Sequence, residues 1–193
     1  DALIRDMLEV SRAEAGALHL DKAPVDVSEI VLESVATWRP QIARKGLRLT
    51  LAAPLGLAPA LADRDRMVQV LDNLISNALK YTPAPGEIAL STAVIHGAEE
   101  LGGAGAPKVV TRCPCALITV RDTGIGIARA EQKRVFTRFF RAEHPVVRQE
   151  SGTGLGLYLV RLLVESQGGQ VWLQSEPGQG SRFYVALPLA QTE

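Results

Sequence analysis

The sequence predicts an α+β fold, a two-layer α/β sandwich in which three helices cover one mixed, mostly antiparallel sheet. Apolar residues recur at helical spacing in separate segments, and strands with alternating apolar residues lie between those segments. Several neighbouring strands are joined by hairpin turns rather than by crossover helices. The chain has 193 residues, 47% of them hydrophobic, so it can bury one full core.

Turn and helix-end signals divide the first half of the chain into separate elements. Gly16 and Gly46 stand where the first two helices should end, because glycine readily adopts the left-handed conformation found after a helix. The predicted elements are a helix over 1–16, a strand around Pro24, a helix over 28–45, a strand over 47–51, a loop over 52–60 and a helix over 65–81.

The second half of the chain is richer in strands. A Gly/Ala-rich insert over 97–115 is predicted to be a long hairpin loop. The remaining elements are strands over 87–95 and 116–121, a glycine turn over 124–126, a short helix and a polar stretch, a helix that opens at 152–156 and runs to Gln167, and strands over 170–175 and 181–188.

Composition and charge exclude several functional classes. The chain has 21 basic and 21 acidic residues, so no global charge favours nucleic acid or an anionic membrane. Because it opens in mid-helix and carries no apolar run of membrane-spanning length, we expect a cytoplasmic piece of a larger protein, whose other parts could include a membrane anchor. Cys113 and Cys115 lack the second ligand pair of a zinc site, and we expect them in a reducing compartment.

The helix over 65–81 carries a polar stripe beside its apolar residues. Gln69, Asn73, Asn77 and Lys80 fall on one side at 3.6 residues per turn. Asparagine is a poor residue for a helix interior because its side chain competes for backbone hydrogen bonds. Taken alone, the stripe is either a ligand site or an ordinary solvated face.

A carboxylate and two glycines follow the apolar strand over 116–121. Asp122 emerges where the backbone turns through Gly124 and Gly126, and glycine there permits a positive φ or the close approach of another group. A carboxylate at that place can accept a hydrogen bond from an exocyclic amine such as that of adenine. The alternative is an ordinary aspartate turn.

A second glycine cluster precedes the last predicted helix. Gly152, Gly154 and Gly156 lead into a first turn whose unpaired N–H groups and positive dipole end favour an anion such as phosphate. The alternative is a flexible hinge. The chain has no Gly-Lys dipeptide and hence no P-loop, and neither cluster gives the dinucleotide-binding glycine pattern.

Arginines and phenylalanines alternate between the two glycine clusters. In the segment from Phe136 to Arg141, the rings could dock on the protein body while Arg138 and Arg141 reach phosphate oxygens. The alternative is a short buried helix with solvated arginines.

The order of these four motifs closely resembles the N, G1, F and G2 boxes of the ATP-binding catalytic domain of sensor histidine kinases. The resemblance covers essentially the whole chain. It implies the Bergerat α/β sandwich shared with gyrase-type topoisomerases, mismatch-repair ATPases and a heat-shock chaperone. It also implies two parts: residues 1–19, the end of a dimerisation and phosphoacceptor helix with its linker, and residues 20–193, the catalytic domain with an ATP lid at about 128–151.

The resemblance assigns roles in adenine and metal binding. Asp122 would bond the adenine amino group, Gly126 would let the base approach, and Tyr81 would pack near the base or sugar. Asn77 would coordinate Mg²⁺ that bridges the phosphates, assisted by Asn73. The nucleotide-binding residues implied are Asn73, Asn77, Lys80, Tyr81, Asp122, Gly124, Gly126, Ile127, Gly152, Thr153, Gly154, Leu155 and Gly156.

The resemblance also implies the reaction and its partners. Lys80 would contact phosphate oxygens, and Arg141, or Arg138, would stabilise charge on the γ-phosphoryl group during transfer from Mg-ATP. The acceptor would be a histidine on the parent protein's dimerisation helices, in a homodimer, and a response regulator would then take the phosphoryl group. Hydrolytic relatives carry a glutamate where this chain has Asn73, so transfer is favoured over hydrolysis.

The chain departs from the resembled pattern at the phosphoacceptor. His19 lies after the first predicted helix and lacks the adjacent acidic residue, so we expect ATP binding without self-phosphorylation. One alternative is a regulatory module that holds nucleotide without transferring phosphate. A serine kinase of the anti-sigma type is disfavoured by the helix over 1–16.

Overall fold

The computed structural model describes residues 2–16, 18–97 and 114–190. Their helices are α1 (Ala2–Glu14), α2 (Val27–Arg44), α3 (Arg64–Tyr81), α4 (Pro145–Gln149) and α5 (Gly156–Ser166). Their strands are β1 (Ala23–Val25), β2 (Leu47–Ala52), β3 (Ala60–Ala62), β4 (Gly86–Ile95), β5 (Cys115–Asp122), β6 (Gln170–Glu176) and β7 (Gly180–Pro188). The predicted insert over 97–115, with Cys113, lies largely outside the described residues.

The main sheet has five strands in the order β2-β4-β5-β7-β6. Only β2 and β4 pair in parallel, and the other neighbours are antiparallel, so the predicted mixed, mostly antiparallel sheet is confirmed. A second, two-stranded sheet pairs β1 with β3. The sequence did not predict β3, because a strand of three residues, with partners 35 to 39 positions away, leaves no local periodicity.

The predicted layer of three helices is confirmed, with α2, α3 and α5 packed on the main sheet. The middle helix, α3, contributes apolar side chains from successive turns, and Met67, Leu71 and Ile75 have no exposed surface. They pack in one cluster with strand residues such as Ile88 and Ile118. Burial of one such side chain stabilises the fold by about 1.5–3 kcal/mol.

The N-terminus of α3 is fixed by hydrogen bonds to distant parts of the chain. Asp63 caps the helix by accepting from the N–H of Arg66 at 3.1 Å, and its other carboxylate oxygen accepts from the N–H of Asp21 at 2.9 Å. The backbone N–H of Asp63 donates to the Gln167 side chain at 2.7 Å. The start of α3 is therefore tied to the end of α5 and to the segment before β1.

Helix α1 packs against α5 and α3. Val10 is buried in the core, and the Glu9 carboxylate accepts from Arg66 at 2.7 Å and from Gln69. At its end, Glu14 contacts the side chains of Arg138 and Tyr158. None of the helices in the described residues is long and apolar enough to cross a lipid bilayer.

One predicted helix is wrong. The segment after the 124–126 turn forms successive turns, because the N–H groups of Glu131, Arg134 and Thr137 bond carbonyls only three residues back. Such isolated turns do not propagate into a helix. The short helix α4 lies further along, within the predicted polar stretch, where His144 caps it by accepting from the N–H of Val146.

Candidate functional site

A cavity of about 420 Å³ opens between α3, the turn after β5, the 140–154 segment and the start of α5. It brings together residues that lie up to 110 positions apart, from Asn73 to Phe183. The predicted site residues on its wall are Asn73, Asn77, Lys80, Tyr81, Asp122, Gly126, Ile127, Arg141, Gly152, Thr153, Gly154 and Gly156. Gly124 and Leu155 do not line it.

The polar stripe of α3 divides into two parts. Asn73, Asn77 and Lys80 face the cavity, whereas Gln69 donates to Glu9 of α1 and does not line it. The Asn73 amide nitrogen donates to the Gln69 carbonyl at 3.0 Å, which holds the side chain along its own helix. At the cavity edge, the Lys80 ammonium donates to the Ser151 carbonyl at 3.2 Å. The stripe therefore serves both a helix contact and a cavity wall.

Asp122 is a buried carboxylate, 6% exposed, at the end of β5. Its Oδ1 accepts from the N–H groups of Gly124 at 2.8 Å and Ser181 at 3.3 Å. Burial raises the pKa of Asp122 above its ordinary value, although these two donors act in the opposite direction. Oδ2 receives no hydrogen bond from residues 2–16, 18–97 or 114–190, and it is the oxygen that a ligand's donor can use.

Two glycines let backbone segments approach one another around the cavity. Gly126 has a φ of 67°, and a Cβ there would lie 1.9 Å from the Glu176 carbonyl oxygen. A Cβ at Gly156 would lie 2.6 Å from Oδ1 of Asn73. The first close approach joins the β5 turn to β6, and the second brings the start of α5 against α3.

The start of α5 presents backbone donors to the cavity. Leu155 is the N-cap residue, and its side chain makes no capping hydrogen bond. Its N–H instead donates to the Thr153 hydroxyl at 3.2 Å, which shapes the glycine-rich loop. The first N–H groups of a helix have no intrahelical partner and lie at the positive end of its dipole. This end of the cavity suits an anion.

Arg138 and Arg141 have different surroundings. Arg141 lines the cavity and donates to the carbonyl oxygens of Glu150, at 2.6 Å, and of Val147. Arg138 pairs with Glu14 and lies 5.2 Å from the ring centre of Tyr158. In this structure Arg141 therefore lies on the cavity wall, whereas the Arg138 guanidinium is engaged by α1 and does not line the cavity.

The phenylalanines between the glycine clusters also differ. Phe136 packs edge-on against Phe183, with ring centres 6.3 Å apart, and Phe140 lines the cavity, with the Arg134 guanidinium 4.9 Å from its ring centre. Phe139 is 58% exposed and has a φ of 58°. The predicted docking of the rings on the protein body is therefore seen for Phe136, whereas Phe140 forms part of the cavity wall.

The described residues contain no cluster of three His, Cys, Asp or Glu side chains able to hold a metal ion. The cavity offers the amide oxygens of Asn73 and Asn77 instead. Mg²⁺ keeps several waters and binds proteins through one or two oxygens plus the phosphates of its nucleotide. A metal that arrives with a nucleotide therefore fits this donor set, whereas a metal held by protein side chains alone does not.

Sequence reasoning missed several residues of the cavity wall. Ser181 and Phe183 come from β7, which lies beside β5 in the sheet. The Ser181 N–H bonds Asp122, yet 59 positions separate the two residues. The only local signal was Gly180, where a Cβ would lie 2.0 Å from the Asp122 carbonyl oxygen. The other unpredicted wall residues are Ser76, Ala78, Ile125, Val135, Phe140, Ala142, Val147, Ser151 and Leu157.

The fold and this cavity define an ATP-binding domain, and comparison with known proteins gives its family. Residues 62–191 match the profile of the histidine kinase-, DNA gyrase B-, and HSP90-like ATPases. The chain belongs to that family. Within it, the chain is the ATP-binding catalytic domain of the sensor histidine kinase type.

Curated relatives support this placement. The chain is 33% identical over 189 residues to the adaptive-response sensory kinase SasA of Synechococcus sp. (strain JA-3-3Ab), covering 98% of this chain and 45% of that protein. It is 32% identical over 194 residues to the sensor histidine kinase GacS of Pseudomonas protegens, covering 98% of this chain and 19% of that protein. The chain thus spans less than half the length of either relative.

Solved structures agree with the fold. Full-length ShkA in complex with AMPPNP superimposes with a TM-score of 0.78 at 31% identity, over 99% of this chain and 36% of that one. The Acinetobacter baumannii histidine kinase AdeS gives a TM-score of 0.71 at 22% identity, over 98% of this chain and 78% of that one. The second likeness concerns the fold alone.

Two glycine substitutions separate crowding from backbone strain. Gly126→Ala and Gly178→Ala both place alanine at a positive φ, 67° and 77°, which costs about 1–2 kcal/mol. Only at Gly126 does the new Cβ meet backbone, and we expect that variant to lose about 1–3 kcal/mol more. Denaturant unfolding measures both losses. Equal losses would contradict the close approach of the β5 turn to Glu176.

Proposed function

We propose that this domain binds Mg-ATP and transfers its γ-phosphoryl group to a histidine on a separate helical domain of the parent protein, from which a response regulator takes it. The observation that carries the proposal is the single cavity that joins a buried carboxylate, Asp122, to Asn77, Lys80 and the start of α5. One end suits a base that donates a hydrogen bond, and the other suits phosphates with a metal. We infer a cytoplasmic location, because the proposed reaction needs ATP and a response regulator on the same side of the membrane.

Asp122 would select adenine. Its Oδ1 is already used by two backbone donors, so Oδ2 is left to accept from the exocyclic amine of the base. Guanine presents a carbonyl oxygen at the corresponding position, and an oxygen facing a buried carboxylate is repelled. Gly126 and Ile127 would lie along the base, and Tyr81 near the base or the sugar, because all three line the same cavity as Asp122.

The polar face of α3 and the start of α5 would hold the triphosphate. Asn77 would give its amide oxygen to Mg²⁺, with Asn73 one turn earlier, and Lys80 would place its ammonium beside phosphate oxygens. The Gly152–Gly156 loop would wrap the phosphates at the helix N-terminus. When bound, the metal ion neutralises negative charge on the phosphate oxygens.

The transfer step would need positioning more than covalent chemistry from this chain. The histidine nitrogen forms the new bond to the γ-phosphorus, the bond to the β–γ bridging oxygen breaks, and ADP leaves with that electron pair. Arg141 lines the cavity and would stabilise the charge on the transferring group. Asn73 carries an amide and cannot act as a general base on water, which favours transfer over hydrolysis.

We also propose that helix α1 belongs to the dimerisation and phosphoacceptor domain, with residues 1–19 as its end and linker and residues 20–193 as the catalytic domain. In support, the α1 face with Ile4, Met7 and Leu8 is exposed, as expected of a helix that packs on a homodimer partner.

The ATP lid would run over about 128–151. It is fastened near its start by Gln132, which donates to the carbonyls of Ile127 at 2.9 Å and Ser175 at 2.7 Å.

Acidification should weaken base binding through Asp122. Because burial raises the pKa of this carboxyl, it gains a proton, and loses an acceptor, at a higher pH than an ordinary aspartate. Adenosine affinity, followed by NMR titration, should therefore fall as the pH is lowered through that raised pKa. Asp122→Asn keeps the shape of the side chain but places an NH₂ group, which is a donor, opposite the amino group of adenine. This variant should therefore bind adenosine about tenfold more weakly, and its affinity should not show this pH dependence. Wild-type affinity in Asp122→Asn would contradict adenine recognition by Asp122.

Transfer in trans tests the proposed activity. The chain is incubated with Mg²⁺, γ-labelled ATP and a separate helical fragment that carries the parent protein's histidine. We expect acid-labile label on that fragment, none on the chain itself, and little free phosphate. Asn77→Ala should lower transfer by about a hundredfold or more, because a metal ligand is lost.

Gln69→Ala is the matched control for this experiment, since Gln69 lies on the same face of α3 but contacts Glu9 of α1 instead of the cavity. It should transfer at nearly the wild-type rate. Tight nucleotide binding without any transfer would overturn the kinase proposal in favour of a regulatory nucleotide-binding module. Unchanged metal-dependent binding in Asn77→Ala would overturn the role of Asn77.

A further inference from the structure

The C-terminal end of α3 has an unusual set of hydrogen-bond partners. The last four carbonyl groups of a helix receive no hydrogen bond from the N–H groups of the helix itself. A buried carbonyl without any hydrogen-bond donor lowers the stability of the fold. At the ends of this group, the Ala78 carbonyl accepts from the N–H of Thr82 at 3.1 Å, and the Tyr81 carbonyl accepts from the N–H of Ile125 at 3.2 Å. Two carbonyls remain between them.

Lys45 supplies the partner for both. Its ammonium donates to the Leu79 carbonyl at 2.5 Å and to the Lys80 carbonyl at 3.0 Å. Lys45 itself is the C-cap residue of α2, 35 positions before Lys80, and it does not line the cavity. Its positive charge also lies at the negative end of the α3 dipole. A side chain from the neighbouring helix therefore completes the final turn of α3.

That turn carries the phosphate side of the cavity. Asn77 and Lys80 project from the last residues of α3, and Tyr81 ends the helix. If the Leu79 and Lys80 carbonyls lose the Lys45 donor, the end of α3 frays. The backbone position from which the Lys80 side chain extends is then no longer fixed. The carboxylate at the other end of the cavity is held directly by Gly124 and Ser181, and Lys45 reaches it only indirectly, through the hydrogen bond between Ile125 and the Tyr81 carbonyl.

We propose that Lys45 is a positioning residue for the triphosphate: it fixes the last turn of α3 from outside the cavity, so that Asn77 and Lys80 meet the metal-bound phosphates. The proposal rests on the proposed ATP-binding function. It assigns Lys45 no contact with nucleotide. The competing explanation is a purely structural contact between α2 and α3, such as the hydrogen bond from the Trp38 ring nitrogen to Asp72 at 2.7 Å.

The test compares two ligands on three variants of this chain. Mg²⁺ with AMPPNP, measured by calorimetry, probes the whole cavity, and adenosine, measured by NMR titration, probes the base end alone. Lys45→Met removes both hydrogen bonds and the charge, and Lys45→Arg keeps a charged donor. Trp38→Phe breaks a different hydrogen bond between α2 and α3. The ratio of the two affinities does not depend on the folded fraction, because both ligands bind only the folded protein.

We expect Lys45→Met to bind AMPPNP about tenfold more weakly, because two hydrogen bonds to the phosphate-binding turn are lost. Its adenosine affinity should stay within about twofold of wild type. Lys45→Arg should restore AMPPNP binding, and Trp38→Phe should leave the affinity ratio unchanged. If Lys45→Met does not fold, Lys45→Gln, which keeps an N–H donor without the charge, serves in its place with the same expected direction.

Three results would overturn the proposal: an unchanged AMPPNP affinity, an equal loss for both ligands, or the same change of ratio in Trp38→Phe. Failure of the wild-type chain to bind either ligand is a different outcome, since it would overturn the proposed function itself. Wild-type binding with an unchanged ratio in Lys45→Met would reject only the role of Lys45.

Discussion

The candidate site depends on one constraint, which is that α3 must bury one face in the core and keep amides and an ammonium fixed on another. Leu71 and Ile75 anchor the buried face against the sheet. The start of the helix is tied to Gln167 through Asp63, and its end is completed by Lys45. A helix held on its side and at both ends cannot rotate or slide, so its polar face stays at a fixed distance from the β5 turn.

The rest of the cavity is built by close backbone contacts around that helix. The start of α5 meets α3 at Gly156, where a Cβ would lie 2.6 Å from the Asn73 side chain. The turn after β5 is pressed against β6 at Gly126 and against β7 at Gly180, whose Cβ would lie 2.0 Å from the Asp122 carbonyl oxygen. These contacts bury the Asp122 carboxylate and give it two backbone donors, so one oxygen is fixed and the other is left for a ligand.

Local patterns predicted most of the fold and the central part of the site. Helix and strand periodicity identified the three covering helices and the five main strands, and the four motifs gave twelve of the residues on the cavity wall. What depends on contacts between distant residues was not predictable in this way. The strand β3 has no periodicity of its own, and Ser181 reaches the site only through sheet pairing. The position of Arg138 depends on its ion pair with Glu14 of α1. Lys45 gave no signal because it acts through backbone carbonyls.

A crystal structure of this chain with Mg²⁺ and AMPPNP would test the proposed site most directly. We expect the adenine amino group within hydrogen-bond distance of Asp122 Oδ2, and the metal bound by the Asn77 amide oxygen together with phosphate oxygens. The triphosphate should lie between Lys80 and the start of α5. An adenine ring that does not contact Asp122, or a metal ion with Asn77 turned away from it, would show that the cavity does not bind Mg-ATP in the proposed way.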